Sequence, residues 1–492
     1  MTLEASIAEN KALKAENEQL KHELAMIKKL IFGSKSERSK FITPDVAQLS
    51  IFADPDDQNT ENEYSEEGEE GEALSDSGNT SKKNKKPNKH TGRQALPDHL
   101  PVEEMILEPE EDTTDLVKIG EEVTETLEYI PPKLIKRRII RPKYAKKQGG
   151  GIVIAPIPER ALAKCIAEPS LLAHIAVSKF VDHLPFNRQM EIFNRNHQLK
   201  IPSSTINSWF VATCTLLDPL YKRLAEKVLN TTYLQVDESP HKVLDTQKGG
   251  KSHRGYQWVY HNPLAKLIMF NYRKGRGVNG PKEILENYKG VLQCDGYTVY
   301  DKLGQSIHII LAGCLAHVRR KYAEAVSSDK TRANQALSIF SEIYRLEKEA
   351  KQSEDRQTYR TKHIVPLMNQ LKEWIDQEAI KVLPKSPIGK AMTYTVNQWP
   401  KLINIFTRGD IELDNNLIEN KIRPLALGRK NYLFAGSEQG AYRIAMMYSF
   451  FASCKANKID PAKWLENTIR NIINCKINDL DSLLPDKNYQ QA

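Results

Sequence analysis

Between residues 232 and 312 the chain carries five short apolar runs: Thr232–Asp237, Tyr256–His261, Lys266–Tyr272, Val291–Asp295 and Ile307–Ala312. A helical pattern over Pro281–Tyr288 separates the third from the fourth. Runs this short, built on Val, Ile, Leu and Tyr, read as strands. Three consecutive strands, a helix, a strand and a further alternating element define an α/β core, and the rest of the chain has to be arranged around it. Two of the runs end on an acid: Tyr233-Leu234-Gln235-Val236-Asp237 and Val291-Leu292-Gln293-Cys294-Asp295.

The element order is that of a ribonuclease-H-like core. Neighbouring side chains on a strand point to opposite faces, so Asp237 and Glu238 do not both reach one metal if the strand runs through them; Asp237, which closes the apolar run, is the candidate. Asp295 closes its own run before Gly296, at the kind of strand-end crevice where open α/β sheets bind ligands. A third acid, Glu419, lies in Asp414-Asn415-Asn416-Leu417-Ile418-Glu419. Three separated carboxylates can hold two divalent ions roughly 3.5–4 Å apart, the arrangement that cuts phosphodiesters. Each acid also has an ordinary explanation. Asp-Gly and a residue before Ser-Pro are turn formers. Glu419 would complete a capping box if Asn416 capped a helix, or pair with Arg423 one turn later.

At 492 residues the chain exceeds one hydrophobic core, so several domains are expected. Its net charge of +8 is offset by an acidic stretch near Glu66–Glu72, which leaves the remaining segments more basic and suited to a polyanion; solvated surface lysines explain the same balance. Six cysteines are scattered singly and form no C-x-x-C pair, so neither a disulfide framework nor a cysteine zinc site is expected. The N-terminus lacks the form of a signal peptide, and the most apolar run, Ala445–Cys454, is far below the roughly 20 residues of a membrane span. A cytoplasmic, nucleoid-associated bacterial protein without membrane contact is expected.

Residues 1–35 place Leu3, Asn10, Asn17, Leu24 and Ile31 on one heptad position and Leu13, Leu20 and Ile27 on another, a coiled coil suited to a homodimer or higher oligomer. Residues 36–92 form an acidic, then basic linker that buries too little apolar surface to fold. Residues 93–160 read as a small β-rich module with a basic face over Lys133–Lys143. Residues 161–225 resemble a helix-turn-helix: helices near Leu171–Phe180 and Phe186–Asn196, a turn through Gln198–Pro202, and a third helix from Ser203 or Ser204. There Ser203, Ser204, Thr205, Asn207 and Ser208 would face a DNA groove while Ile206, Trp209 and Phe210 face the core. Three-helix units with no DNA role share this spacing. The core's first part spans 226–326, a helical insertion 327–400, the core's second part 401–440, and a helical C-terminal domain 441–492. The insertion's first helix stripes Ala336, Ile339, Phe340, Ile343 and Leu346 on one side. In the tail, Asp460 caps a helix with Pro461 at its first position. Two cationic clusters would grip phosphates, His317 with Arg319, Arg320 and Lys321, and Arg423 with Arg429 and Lys430, although solvated helix faces account for them equally well.

Several motifs together resemble a transposase of the insertion sequence 66 family, a DDE enzyme group. They are Val236-Asp237-Glu238-Ser239, Cys294-Asp295-Gly296-Tyr297, Gly313-Cys314-Leu315-Ala316-His317-Val318-Arg319-Arg320-Lys321, Asn397-Gln398-Trp399, Asp414-Asn415-Asn416 with Glu419, and Gly428-Arg429-Lys430-Asn431-Tyr432-Leu433-Phe434-Ala435-Gly436-Ser437. The resemblance runs from the N-terminal heptads to Leu480-Asp481-Ser482-Leu483-Leu484-Pro485. It implies a ribonuclease-H-like catalytic domain interrupted by a helical insertion, with Asp237, Asp295 and Glu419 as the metal-binding triad. Two Mg²⁺ ions, with Mn²⁺ as a substitute, are the implied cofactors. Terminal inverted repeats and target DNA are the implied partners, together with accessory transposition proteins. Family members often carry a cysteine-ligated zinc module before the helix-turn-helix; here Glu110–Leu116 and Lys143–Gly149 hold no cysteine, so the module is expected to fold without zinc. The implied activity is strand cleavage at transposon ends followed by strand transfer. A noncatalytic dimeric DNA-binding regulator is the alternative, and a covalent tyrosine recombinase is disfavoured because no tyrosine has an Arg-His-Arg setting.

Overall fold

The computed structural model describes residues 133–145, 152–156, 159–163, 165–245 and 251–489. The heptad segment 1–35, the linker 36–92 and most of the 93–160 module lie outside the described residues. Of that module the structure describes an antiparallel pair, β1 (Lys143–Ala145) and β2 (Ile152–Ile154). The alternating run before it, residues 133–142, forms no strand.

Three helices follow: α1 (Pro169–Phe180), α2 (Phe186–His197) and α3 (Ser203–Leu229). Pro169 opens α1 at a position whose N–H has no helical partner in any case. Gln198 stops α2 in the left-handed conformation at φ 52. Helix α3 outruns any short recognition helix: its 27 residues continue through Pro219, and Leu217, Leu220, Leu224 and Val228 are fully buried.

The central sheet consists of β3 (Tyr233–Asp245), β4 (Lys251–Asn262), β5 (Leu267–Arg273), β6 (Gly290–Gln293) and β7 (Ile309–Ala312), in the order β5-β4-β3-β6-β7. The first three strands are antiparallel; β6 and β7 join parallel, after the short helices α4 (Asn279–Ile284) and α5 (Thr298–Leu303). β3 is the longest, and its last eight residues reach beyond Asp237 paired with β4. Pro240 is tolerated within that extension because β6 has already ended there, leaving β3 a strand neighbour on one side. Gly290 sets the β3–β6 register: its φ is +149, and a Cβ would collide with the Thr232 backbone.

Both sheet edges are covered. Helix α12 (Glu438–Ala456) lies on β5, where Ser449 Oγ accepts the Phe270 N–H at 2.7 Å and Ser453 Oγ the Ile268 N–H at 3.0 Å. On the opposite edge the Asn404 amide donates to Leu311 O at 2.8 Å, and Gly313 N–H donates to Lys401 O at 3.0 Å. Edge groups satisfied in this way do not template pairing with another chain. Helix α13 (Pro461–Asn471) closes the tail, and Asp460 accepts the N–H groups of Ala462 and Lys463.

Between β7 and the returning chain stand α6 (Leu315–Ala325), α7 (Lys330–Ala350), α8 (Arg356–His363), α9 (Val365–Glu378) and α10 (Pro387–Asn404). Asp329, Asp355 and Ser386 each accept a backbone N–H at the start of α7, α8 and α10. These helices enclose a second core around Ala336, Phe340, Ile343, Met368, Leu371 and Ile375, against which Ile339 and Leu346 pack half-buried. The chain returns to the sheet as α11 (Asn416–Tyr432), which packs on β3. Five of the cysteines, Cys165, Cys214, Cys294, Cys314 and Cys454, are free and buried.

Candidate active site

The β3–β6 register brings the two aspartates together. Tyr233, Leu234 and Gln235 pair with Val291, Leu292 and Gln293, and two residues further along each chain come Asp237 and Asp295. Although β6 ends at Gln293, Cys294 N–H still donates to Ala312 O at 3.0 Å and keeps the chain in line. The acids therefore occupy corresponding positions on neighbouring strands, whose backbones lie roughly 4.8 Å apart. Asp237 sits inside a long strand and not at its end, because the polar residues after it pair with β4.

The returning chain carries Glu419 near enough for its charge to be felt at Asp237. Asp414 Oδ1 accepts the Asn416 N–H at 3.1 Å, Tyr344 donates to Asp414 Oδ2 at 3.1 Å, and Asn415 N–H donates to Cys314 Sγ at 3.2 Å. Asn415, not Asn416, precedes the helix and supplies no side-chain cap, so the capping-box reading of Glu419 does not hold. Glu419 falls in the first turn of α11, where the helix dipole favours a carboxylate. Its Oε1 is 3.7 Å from His317 Nε2.

Burial raises the Asp237 carboxyl well above the usual carboxylate range, and the like charges of Glu238, Asp295 and Glu419 raise it further. Asp295 is also raised by burial, offset by the Tyr297 N–H, which donates to its Oδ1 at 2.9 Å, and by nearby Arg276 and Lys401. Glu238 has its own partners: Tyr300 donates to it at 2.5 Å and Arg276 at 2.6 Å, with the Arg276 guanidinium stacked 3.9 Å from the Tyr297 ring. A cluster of buried oxygens with excess negative charge is the donor set that Mg²⁺ prefers. Among the described residues no three such side chains converge closely enough to hold one ion together.

The other sequence candidates lie in three places. Arg319 is exposed on α6, beside His317, and Lys321 pairs with Glu324 at 3.4 Å. Arg423 and Lys430 are exposed on α11, whereas Arg429 turns inward and donates to Pro240 O. Ser203, Ser204, Asn207 and Ser208 are exposed and Thr205 is half-buried at the start of α3, with Ile206, Trp209 and Phe210 buried behind them. Arg276 and Lys401 were missed by sequence reasoning. Gly275-Arg276-Gly277 is the one local hint of an arginine on a tight loop, and Lys401 reads as an ordinary helix lysine. The Gly428–Ser437 stretch has a structural role: Leu433 ends α11 at φ 64, Ala435 bridges Val243 of β3, and Ser437 caps α12.

Comparison with known proteins finds relatives of this chain. Residues 164–443 match the family described as "Transposase IS66 family", residues 19–105 "Transposase C of IS166 homeodomain", and residues 449–485 "IS66 C-terminal element". Two uncharacterized proteins of Sinorhizobium fredii (strain NBRC 101917 / NGR234) are similar. One, y4jD, is 32% identical over 493 residues, covering 95% of this chain and 94% of the relative. The other, y4qI, is 32% identical over 415 residues, covering 80% and 77%. Residues 111–145 match the "zinc-finger binding domain of transposase IS66", which overturns the expectation of a module without zinc. That expectation counted only thiolate and imidazole ligands. Zinc also accepts carboxylate oxygens, and this stretch retains Glu111, Asp112, Asp115, Glu121, Glu122, Glu125 and Glu128 while containing no Cys or His. With one family match spanning more than half its length and its sheet bringing acids together on neighbouring strands, the chain belongs to the IS66 family of transposases.

Proposed function

We propose that this transposase cleaves DNA strands at transposon ends and joins them to target DNA, with Asp237, Asp295 and Glu419 as the carboxylates that would draw together around two Mg²⁺ ions, from their wider spacing in the metal-free chain, in a ribonuclease-H-like core. The observation that carries the reading is the β3–β6 register, which aligns Asp237 with Asp295, together with the mutual electrostatic influence of Asp237 and Glu419. When bound, the ions would supply activation of the attacking oxygen and stabilisation of the leaving one. The protein's carboxylates hold that charge in a buried site and orient it. In the first reaction water attacks the phosphodiester and frees a 3′-OH; in the second that hydroxyl attacks a target phosphodiester and displaces another 3′-oxygen. Neither forms a protein–DNA bond.

The exposed Arg319, Arg423 and Lys430 supply phosphate contacts without sequence choice, as do Arg320 and Lys321. His317, held beside Glu419, serves near the cut, and Arg429 aligns α11 with β3. Ser203, Ser204, Thr205, Asn207 and Ser208 enter a DNA groove, and the N-terminal heptads join two or more copies.

The test is cleavage of a labelled duplex carrying the inverted ends that flank the coding region, with and without Mg²⁺. Asp237→Ala, Asp295→Ala and Glu419→Ala each abolish cleavage while retaining DNA binding. Retained cleavage by Asp295→Ala refutes the assignment, and a wild-type protein that binds without ever cutting favours the noncatalytic regulator.

A further inference from the structure

Both acids lie two residues after a glutamine: Gln235-Val236-Asp237 within β3 and Gln293-Cys294-Asp295 at the end of β6. The two glutamines are register partners, and both are fully buried. They bond to each other, Gln235 Nε2 to Gln293 Oε1 at 2.9 Å, and Tyr233 donates to that same Oε1 at 2.5 Å. Their remaining N–H groups reach the returning chain. Gln293 Nε2 donates to Glu412 O at 2.9 Å and to Gly313 O at 3.0 Å, and Gln235 Nε2 donates to Asp414 O at 3.2 Å. Tyr233 OH accepts the Glu412 N–H at 3.1 Å, and His261 Nδ1 lies 3.0 Å from Gln235 Oε1. Burial holds His261 down to about 3, so its neutral ring donates that bond from Nδ1. An apolar pair would fill this space with less desolvation, but it would leave the carbonyls of Gly313, Glu412 and Asp414 without these donors.

We propose that Gln235 and Gln293 are positioning residues, a buried amide pair that anchors residues 412–414, and through them the Glu419 helix, to the two strands carrying Asp237 and Asp295. The bonds join segments separated by 119 and 179 residues, across the whole helical insertion. Beside the Tyr344–Asp414 and Asn415–Cys314 bonds, this pair ties the segment that leads into the helix directly to both acid-bearing strands. The proposal rests on the acid assignment made above.

The experiment uses the full-length protein and Mn²⁺ as the probe, with calorimetric Mn²⁺ titration, thermal melting without metal, and duplex cleavage as readouts. Gln293→Leu keeps the volume and loses every bond, whereas Gln293→Glu keeps the accepting oxygen and loses both donors. Each is expected to weaken Mn²⁺ binding about 10–100-fold, the usual effect of losing groups that orient metal ligands. Ser453→Ala, which removes the β5 edge cap, is the destabilised reference and leaves Mn²⁺ affinity unchanged. Should Gln293→Leu fail to fold, Gln235→Met, similar in length and shape, carries the same measurement. Glutamine variants that melt early yet bind Mn²⁺ like the wild type overturn the proposal. Asp295→Ala separates the two layers: if it keeps wild-type Mn²⁺ binding the acid assignment falls, and if it loses binding while the glutamine variants do not, only the positioning role falls.

Discussion

Replacing Glu347 by Ala removes the carboxylate at the centre of the insertion. Arg360 is fully buried and its guanidinium donates to Glu347 at 2.8 and 2.6 Å; Arg356 adds a bond of 2.6 Å to the same carboxylate. The third Arg360 nitrogen serves Ile411 O at 2.8 Å, just before the segment that leads to Glu419. Without Glu347, Arg356 keeps Glu412 at 3.2 Å, but Arg360 becomes a buried cation with no carboxylate. Breaking a buried pair from one side costs about 3–5 kcal/mol, whereas replacing both charges by apolar groups is often neutral. The unit Ile130–Ala492 shifts by only about 1–2 °C per kcal/mol, so Glu347→Ala is expected to lower the melting temperature by roughly 3–10 °C. The double variant Glu347→Leu, Arg360→Met should recover most of that loss. Differential scanning calorimetry of the three proteins measures both effects. A single variant that melts within about 1 °C of wild type, or a double variant no better than the single, would show that the pair does not hold the insertion in this way.

Two further outcomes follow from the charges at the site. Because burial and like-charged neighbours raise Asp237, the folded metal-free protein holds that proton more tightly than the unfolded chain, so stability falls as pH rises through and above the ordinary carboxylate range. Asp237→Asn flattens this fall and raises the metal-free melting temperature at neutral pH while abolishing cleavage; a lower melting temperature in Asn would contradict the electrostatic account. Arg319→Ala, Arg423→Ala and Lys430→Ala each reduce the slope of log affinity against log salt by about 0.9 if the side chain meets a duplex phosphate. Slopes identical to wild type would identify them as solvated surface charges.

The strands, the first helices and the tail helix were legible because their signals are local: apolar alternation, a turn through Gln198–Pro202, and Asp460 with Pro461 at a helix start. The extension of β3 past Asp237 was hidden, since Glu238-Ser239-Pro240-His241 looks like loop and becomes strand only through its pairing with β4. Helix α3 reads as a short polar helix at its start, and its length comes from the sheet that buries its far half. The zinc expectation failed because it was drawn from the missing cysteines of two short segments, whereas the likeness to the zinc-finger family is carried by the whole of residues 111–145.

Composition and periodicity alone determined that this chain builds an α/β core whose strands carry Asp237 and Asp295, because strand formation depends on side chains a few residues apart. Where Glu419 sits depends instead on hydrogen bonds between residues remote in sequence, Gln235 to Asp414 and Gln293 to Glu412. Only the folded sheet decided that, since no local pattern records which buried amide will meet which distant carbonyl.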